Sequence, residues 1–236
     1  MKYIDELSDS HAEDLLNDIP REQFPGSIQE LLEQQMKFVD SIRDIIQETE
    51  KNLAMVQESA KEGKIANPDE AIESIKLMQQ FYEANGKLEL ILLDFFVAYK
   101  HLAMSETDWE FRYFARKIYT LMHETRQGLL AQMGKPFKEI EAIAEVNAYS
   151  AYKKEKKRLD KFFEENDETF KNIRNTSDAH KEASMEEQLV CIEEISVEKS
   201  IWLINDYKYK LLNLVCAFVI LFPSMNEHVK EIMKKL

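Results

Sequence analysis

The chain has 236 residues, a net charge of −13, and only five glycines and five prolines. It is long enough for one substantial hydrophobic core, and its shortage of turn-forming residues excludes a many-stranded sheet. We therefore predict an all-α protein, an up-and-down bundle of long antiparallel helices. The acidic balance excludes indiscriminate nucleic-acid binding, because lysine and arginine are the residues that bind phosphate, and we expect no DNA partner.

Three features of the sequence predict a cytoplasmic protein with no membrane partner. Cys191 and Cys216 lie in apolar surroundings, as reduced and buried thiols do, rather than in a disulfide or metal pattern. Met1–Ile19 is acidic and lacks the continuous apolar stretch of a signal peptide. Leu211–Phe222 is the most apolar run, but it is shorter than the roughly 20 residues that span a bilayer, so we predict a buried core helix there.

The N-terminal part of the chain predicts a short helix and then a long one. Tyr3–Ile19 has an amphipathic pattern, which Pro20 ends. Ser27 and Glu30 have the spacing of a capping box, and a helix to about Glu62 follows them. Its apolar positions alternate in steps of four and three, which indicates a coiled-coil-like seam that needs a partner helix. The seam positions are Ile28, Leu32, Gln35, Val39, Ile42, Ile46, Thr49, Leu53 and Val56.

The turn at Gly63–Pro68 predicts an antiparallel return, with Asn67 as N-cap and Pro68 at the first helical position. The helices predicted after it are Asp69–Met104, about Asp108 to Met133, Phe137–Ile173, and about Glu198 to Phe222. The last is predicted to be the most buried helix and to end at Pro223. Leu189–Ile195 is ambiguous between helix and strand. We predict either an N-terminal helical extension (1–86) packed on a core domain (87–236) or one continuous domain (1–236).

Ile173–His180 carries the densest set of reactive and polar side chains. Arg174 is followed directly by Asn175, and five residues separate Arg174 from His180. A cation in the last turn of a helix also stabilises the unpaired carbonyl groups there, so a purely structural role for Arg174 stays open.

The Arg–Asn–x4–His pattern of the sequence RNTSDAH resembles the motif of the HEPN superfamily, in the variant found in abortive-infection and toxin proteins of bacteria. The resemblance covers the helices from about Leu88 to Leu236 and implies a HEPN-like C-terminal core. It further implies an endoribonuclease that needs neither a metal nor a cofactor and leaves cyclic phosphate ends. His180 would then act as general acid or base, Arg174 would bind phosphate, and Asn175 would orient His180 or bind a phosphate oxygen.

The resemblance also implies partners. HEPN ribonucleases build composite sites in homodimers, and a two-fold axis brings two identical surfaces together. We therefore expect an RNA substrate, a homodimer whose interface includes Trp202, Tyr207 and Tyr209, and a possible antitoxin or nucleotidyltransferase-like partner protein. The alternative is a non-catalytic helical interaction module in which Arg174 and His180 are structural.

A basic run precedes the motif on the same predicted helix. Lys153, Lys154, Lys157 and Arg158 are candidates for steering RNA toward Arg174, although a solvated helix face has the same composition. No metal-binding motif is present in the sequence. Glu165 and Glu168, one turn apart, leave open a distant third alternative, a magnesium-dependent nucleotide hydrolase.

Overall fold

A computed structural model describes residues 24–65, 67–130, 133, 136–177 and 185–235. Side chains are not described for residues 24–28, 136, 172–177 and a few others near residues 185–191 and 233–235. The described residues form helices joined by short turns and contain no strand. The predicted all-α bundle is confirmed. The predicted helix Tyr3–Ile19 lies outside the described residues.

The first two described helices form a long antiparallel hairpin. Helix α1 is Phe24–Lys61 and helix α2 is Pro68–Ala103. The predicted α1 seam is correct, because Leu32, Ile42, Thr49 and Val56 are all buried. Helix α1 begins three residues before the predicted cap at Ser27, since a proline such as Pro25 is tolerated in the first turn of a helix.

The turn between α1 and α2 follows from its glycine and proline. Gly63 has a φ of 69°, a left-handed conformation that is strained for other residues. Its amide donates to the carbonyl of Ala60, and the amide of Lys64 donates to that of Ser59, which closes the helix with a Schellman motif. Pro68 then opens α2, as predicted.

Helix α3, Asp108–Glu124, begins with a capping box between Thr107 and Glu110. The sequence predicted one regular helix to about Met133, which is wrong in its last part. The chain widens into a π-helix at Thr125–Leu130. There the hydroxyl of Thr125 lies 2.9 Å from the hydroxyl of Tyr207, so a buried polar contact occupies the irregular turn.

The predicted helix Phe137–Ile173 is two helices. Helix α4 is Pro136–Ile140, and helix α5 is Val146–Ser177. No glycine or proline marks the break. Instead Glu145 sets it, because its side chain accepts hydrogen bonds from the backbone and side chain of Asn147, at 3.4 and 2.8 Å, while its own amide donates to Ser224.

Helix α6 is Met185–Glu193, which resolves the ambiguous segment in favour of helix, and helix α7 is Val197–Lys235. The prediction that Pro223 ends the last helix is wrong. A mid-helix proline costs about 3 kcal/mol, but the residues after it bury apolar surface through Met225 and Ile232. Tyr82 also donates a hydrogen bond to Asn226. Tertiary packing thus outweighs the local helix-breaking tendency.

Helices α2, α3, α5 and α7 enclose the main hydrophobic core, and α1 covers the outer side of α2. The largest fully buried side chains of this core are aromatic: Phe81, Phe95, Tyr99, Phe111, Tyr119, Tyr152, Phe162, Phe163, Phe170, Tyr207 and Phe218. Residue 86, the predicted domain boundary, lies inside α2, and this core includes Phe81 on one side of it and Leu88 on the other. The division into two domains stays a prediction.

Helix α7 is less buried than the sequence predicted, because Trp202, Tyr209, Val219 and Ile220 are exposed on it. Cys216 is exposed as well, so the prediction that it is a buried thiol is wrong. Within the described chain, Val197–Ile232 is long and apolar enough to cross a membrane by length and composition alone. Core helices of soluble proteins also pass this test, and this segment packs against α2, α3 and α5.

Candidate functional site

The first two residues of the motif lie at the end of α5. Arg174 and Asn175 belong to its last turn, which ends at Ser177. Their backbone is described but their side chains are not, and His180 lies outside the described residues. A long helix therefore delivers Arg174, as the sequence predicts, whereas the roles of all three residues stay predictions.

Two contacts fix how α5 lies against α3. Arg126, just beyond the C-terminal end of α3, forms an ion pair with Asp167. Two turns nearer the start of α3, the ring of Tyr119 lies 5.9 Å from the ring of Phe170. The helices are thus antiparallel, and the residues that follow Phe170 on α5 lie beside α3 residues that precede Tyr119.

This register places the motif beside the first half of α3. Arg174 is one turn beyond Phe170, so its backbone is level with the α3 turn that contains Arg116. One turn earlier on α3, the Nε of Arg112 donates to the carbonyl of Ile195 at 3.2 Å. Three arginines therefore lie on neighbouring turns at one end of the bundle. Guanidinium groups stay charged and match the geometry of phosphate oxygens.

The other cations on this side of α5 are held by a carboxylate. Asp167 pairs with Arg126 and with Lys171, whose Nζ lies 2.7 Å away. The hydrogen bond from Lys171, together with the charges of Arg126 and Lys171, keeps the pKa of Asp167 below its usual range. Asp167 therefore remains ionised near neutral pH, and it offsets positive charge that would otherwise face a phosphate.

The predicted RNA-steering run lies at the other end of α5 and is partly neutralised. Lys153 pairs with Glu141 at 3.5 Å, and Arg158 pairs with Glu155 at 2.9 Å. Lys154 and Lys157 are exposed, and neither forms an ion pair with a described residue. Lys157 is seventeen residues before Arg174, about 25 Å along the helix, so it can attract RNA but cannot touch the same phosphate. Its steering role stays a prediction.

Glu165 and Glu168 are the residues for which the sequence leaves a magnesium site open. Glu165 pairs with Lys161 at 3.4 Å. Across the described ranges, no group of three histidine, cysteine or acidic side chains is arranged to hold a metal ion.

Two buried polar clusters lie in the core. In the first, the Nζ of Lys208 donates to the hydroxyl of Tyr99 at 3.0 Å, and burial lowers the pKa of Lys208 to about 8. In the second, Gln35 of α1 donates to the carboxylate of Glu89, whose pKa burial raises to about 6. Neither lysine nor glutamate is accessible, since they are 2% and 1% exposed. We therefore assign both clusters to the fold rather than to catalysis.

One open cavity of about 420 Å³ lies between the α4–α5 turn and the C-terminal half of α7. Its polar lining includes Glu145, Glu227, His228 and Glu231. A surface with three carboxylates repels phosphate, so this cavity does not suit an RNA strand.

The structure adds exposed residues that the sequence analysis did not select. Trp109 and Tyr113 lie one turn apart on α3 and are 46% and 43% exposed. The guanidinium carbon of Arg116 lies 5.3 Å from the centre of the Tyr113 ring, and the Nζ of Lys117 lies 5.9 Å from it. The signal in the sequence was two aromatic residues four apart followed by adjacent cations. Aromatic residues at that spacing are also typical of a buried helix face.

Comparison with protein-family models, with curated proteins and with solved structures found no match to this chain.

Proposed function

We propose that the protein is a metal-independent endoribonuclease of the bacterial defence or toxin–antitoxin type, with a HEPN-like core in residues 87–236. One observation carries the proposal: α5 brings Arg174 and Asn175 to its last turn, level with the α3 turns of Arg112 and Arg116. Arginines thus occupy neighbouring turns of α3 and α5 in a chain whose net charge is −13. The sequence adds His180 to the same stretch.

The reaction needs two proton transfers and a cation. The 2′-hydroxyl loses its proton, and its oxygen attacks the adjacent phosphorus. The bond from phosphorus to the 5′-oxygen breaks, that oxygen gains a proton, and a 2′,3′-cyclic phosphate remains. His180 serves as general base or general acid, since an imidazole titrates near neutral pH. Arg174 binds the phosphate oxygens, where negative charge grows in the transition state.

A homodimer completes this site in our proposal. One imidazole does not readily take a proton on one side of a phosphate and give another on the opposite side in a single step. Two motifs related by a two-fold axis supply both imidazoles. Trp202 and Tyr209 are 64% and 48% exposed and can contribute to the interface. Tyr207 cannot, because it is fully buried and its hydroxyl contacts Thr125, which corrects the sequence prediction for that residue.

The setting that fits this function is the cytoplasm, where RNA is the substrate and an antitoxin or a nucleotidyltransferase-like protein is the regulating partner. Exposed acidic residues are abundant on α1, among them Glu30, Glu33, Asp40 and Asp44. They suit a basic surface of such a partner better than they suit RNA.

Cleavage of RNA in the presence of EDTA tests the proposal. Purified protein is incubated with a single-stranded RNA of mixed sequence, and the product ends are identified by mass spectrometry. We expect cleavage without added metal and 2′,3′-cyclic phosphate ends. Activity that requires Mg²⁺, or products with 3′-hydroxyl ends, would contradict the mechanism.

The second candidate is a non-catalytic helical interaction module. The exposed apolar side chains of α7, including Trp202, Val219 and Ile220, favour it, because exposed apolar patches mark protein-interaction surfaces. Such a module would show no RNA cleavage at any enzyme concentration, and replacing Arg174 or His180 would leave its assembly unchanged.

A further inference from the structure

The outer surface of α3 carries exposed aromatic side chains next to cations. We define the α3 outer face as Trp109, Tyr113, Arg116 and Lys117. The two aromatic rings are one helical turn apart, about 6 Å along the axis, and both are nearly half exposed. The two cations follow within one more turn. The face therefore combines flat aromatic surface with positive charge.

The cations of this face are positioned by a ring. Arg116 and Lys117 both lie within 6 Å of the centre of the Tyr113 ring, which is the range of a cation–π contact. Elsewhere on the surface, cations such as Lys153, Arg158 and Lys171 face carboxylates. Arg116 forms no ion pair with any residue that the structure describes. Arg116 is partly exposed, and its buried Nε has no hydrogen-bond partner among the described residues.

One carboxylate near this face, that of Glu110, takes part in the cap of α3. Glu110 accepts hydrogen bonds from the amides of Glu106 and Thr107, at 2.9 and 3.0 Å, as part of the capping box. These bonds keep the pKa of Glu110 below its usual value. Its negative charge is engaged with the positive end of α3, which limits its repulsion of a phosphate near Tyr113.

We propose that the α3 outer face binds single-stranded RNA, with Trp109 and Tyr113 stacking on bases and with Arg116 and Lys117 binding backbone phosphates. Exposed aromatic rings interleaved with cations are how proteins bind single strands, since every base has a flat face and every linkage has a negative charge. A duplex hides its base faces and does not fit this surface. The choice of RNA rests on the proposed endoribonuclease function.

The position of the face links it to the motif. Arg116 belongs both to the outer face and to the α3 turn that is level with Arg174. An RNA strand that stacks on Trp109 and Tyr113 therefore lies on α3, the helix next to the end of α5. In this arrangement the outer face holds the RNA and the motif cleaves it, so substrate affinity and the chemical step depend on different residues.

Binding is measured with an RNA that cannot be cleaved. The probe is a fluorescein-labelled single strand of 2′-O-methyl nucleotides, which lacks the attacking hydroxyl, and its anisotropy gives the dissociation constant. Trp202→Phe makes Trp109 the only tryptophan, so quenching of its fluorescence reports stacking directly. We expect quenching on binding. We expect Trp109→Ala and Tyr113→Ala each to weaken binding about tenfold, as loss of one stacked base does.

Matched controls come from the same chain. Phe38→Ala removes an exposed aromatic ring from α1, and Lys154→Gln with Lys157→Gln removes equal charge from α5. Phe38→Ala is expected to leave the dissociation constant unchanged. Arg116→Gln with Lys117→Gln is expected to weaken binding more than the α5 pair and to lower its salt dependence. Circular dichroism confirms that each variant keeps its helical content.

The outcomes separate this inference from the proposed function. If the probe binds and Trp109→Ala weakens binding, but wild-type protein never cleaves ordinary RNA, the outer face stands and the nuclease proposal fails. If RNA is cleaved and both aromatic variants bind the probe like wild type, the nuclease proposal stands and the outer face is wrong. Equal binding of duplex and single-stranded probes would also overturn the stacking assignment, as would wild-type protein that binds no probe.

Discussion

The Nζ of Lys208 lies 3.0 Å from the hydroxyl oxygen of Tyr99 and 4.8 Å from the centre of its ring. Both side chains are buried between α2 and α7, and no described carboxylate pairs with the lysine. The Tyr99 hydroxyl also lies 3.4 Å from the Oδ1 of Asn205. A hydroxyl and a ring thus take the place of the acid that a buried ammonium group usually has.

Replacing Lys208 by methionine should stabilise the protein at pH 7. Burial lowers the pKa of Lys208 from 10.5 to about 8, so the folded state releases this proton more readily than the unfolded state. In wild type, this group therefore raises the free energy of unfolding by roughly 3 kcal/mol in all as pH rises from about 8 to about 10.5. At pH 7, Lys208→Met should therefore exceed wild type in free energy of unfolding by that amount. Above pH 10.5 the two proteins should no longer differ through this charge.

Urea denaturation of both proteins between pH 7 and 10.5 measures the difference. The variant Lys199→Met, at an exposed position of α7, is the control and should show no such pH dependence. A Lys208→Met protein that is less stable than wild type at pH 7 would mean that the Tyr99 contact outweighs the desolvation of the ammonium group.

Wild type should lose stability as pH rises from about 4.5 to 6, and replacing Glu89 by glutamine should abolish that loss. Burial against α1 is the main cause that raises the pKa of Glu89 from 4.5 to about 6, and the hydrogen bond from Gln35 opposes it. The folded state therefore keeps this proton longer than the unfolded state, and its stabilising contribution is lost as pH rises through 6. The loss is about 2 kcal/mol.

Thermal melts of wild type, Glu89→Gln and Glu83→Gln at pH 4.5 and 7 test this point. Glu83 is exposed on the same helix and serves as the control. Glu89→Gln should gain melting temperature relative to wild type at pH 7 but not at pH 4.5. An equal shift at both pH values would show that the change acts through packing or hydrogen bonding instead of charge.

Replacing Trp202 by glutamate should convert the proposed homodimer to monomer. Trp202 is 64% exposed, so the monomer tolerates the change, whereas burial of an unpaired carboxylate in an interface costs several kcal/mol. Light scattering after size exclusion measures the mass. Trp109→Glu, at an exposed tryptophan outside the proposed interface, should remain dimeric. A Trp202→Glu protein that stays dimeric would place the two-fold axis elsewhere.

The sequence predicted the helices well where one pattern dominated. The alternation of Leu32, Ile42, Thr49 and Val56 predicted both α1 and the face it buries, because only a partner helix satisfies that spacing. Gly63 predicted the turn into α2, since few other residues adopt its φ of 69°.

The errors arose where tertiary contacts override local preference. Pro223 is a strong helix breaker, but burial of Met225 and Ile232 carries α7 past it. The break before α5 has no glycine or proline and depends on the hydrogen bonds of Glu145 with Asn147 and Ser224. Neither is visible in a local pattern. For the same reason, Tyr207 could not be told apart from the exposed Tyr209 before their neighbours were known.

The candidate site was predicted from three residues, and the structure adds their surroundings only in part. It gives Arg174 a place at the end of α5 and a neighbouring turn that contains Arg116. The sequence did not reveal that these two turns are neighbours, because the packing of α3 on α5 depends on tertiary contacts such as those of Tyr119 with Phe170 and of Arg126 with Asp167. The contribution of His180 rests on the sequence alone.

The most direct test of the account is the rate of RNA cleavage by His180→Ala in EDTA. Loss of a general acid or base costs 10²–10⁴-fold in rate, so the variant should lose at least about two orders of magnitude of activity. Its helical content, its melting temperature and its binding of the 2′-O-methyl probe should match those of wild type, because one imidazole in a polar segment is removed and the α3 outer face is untouched. Full activity of His180→Ala would contradict the mechanism, as would wild-type cleavage that stops when metal is removed.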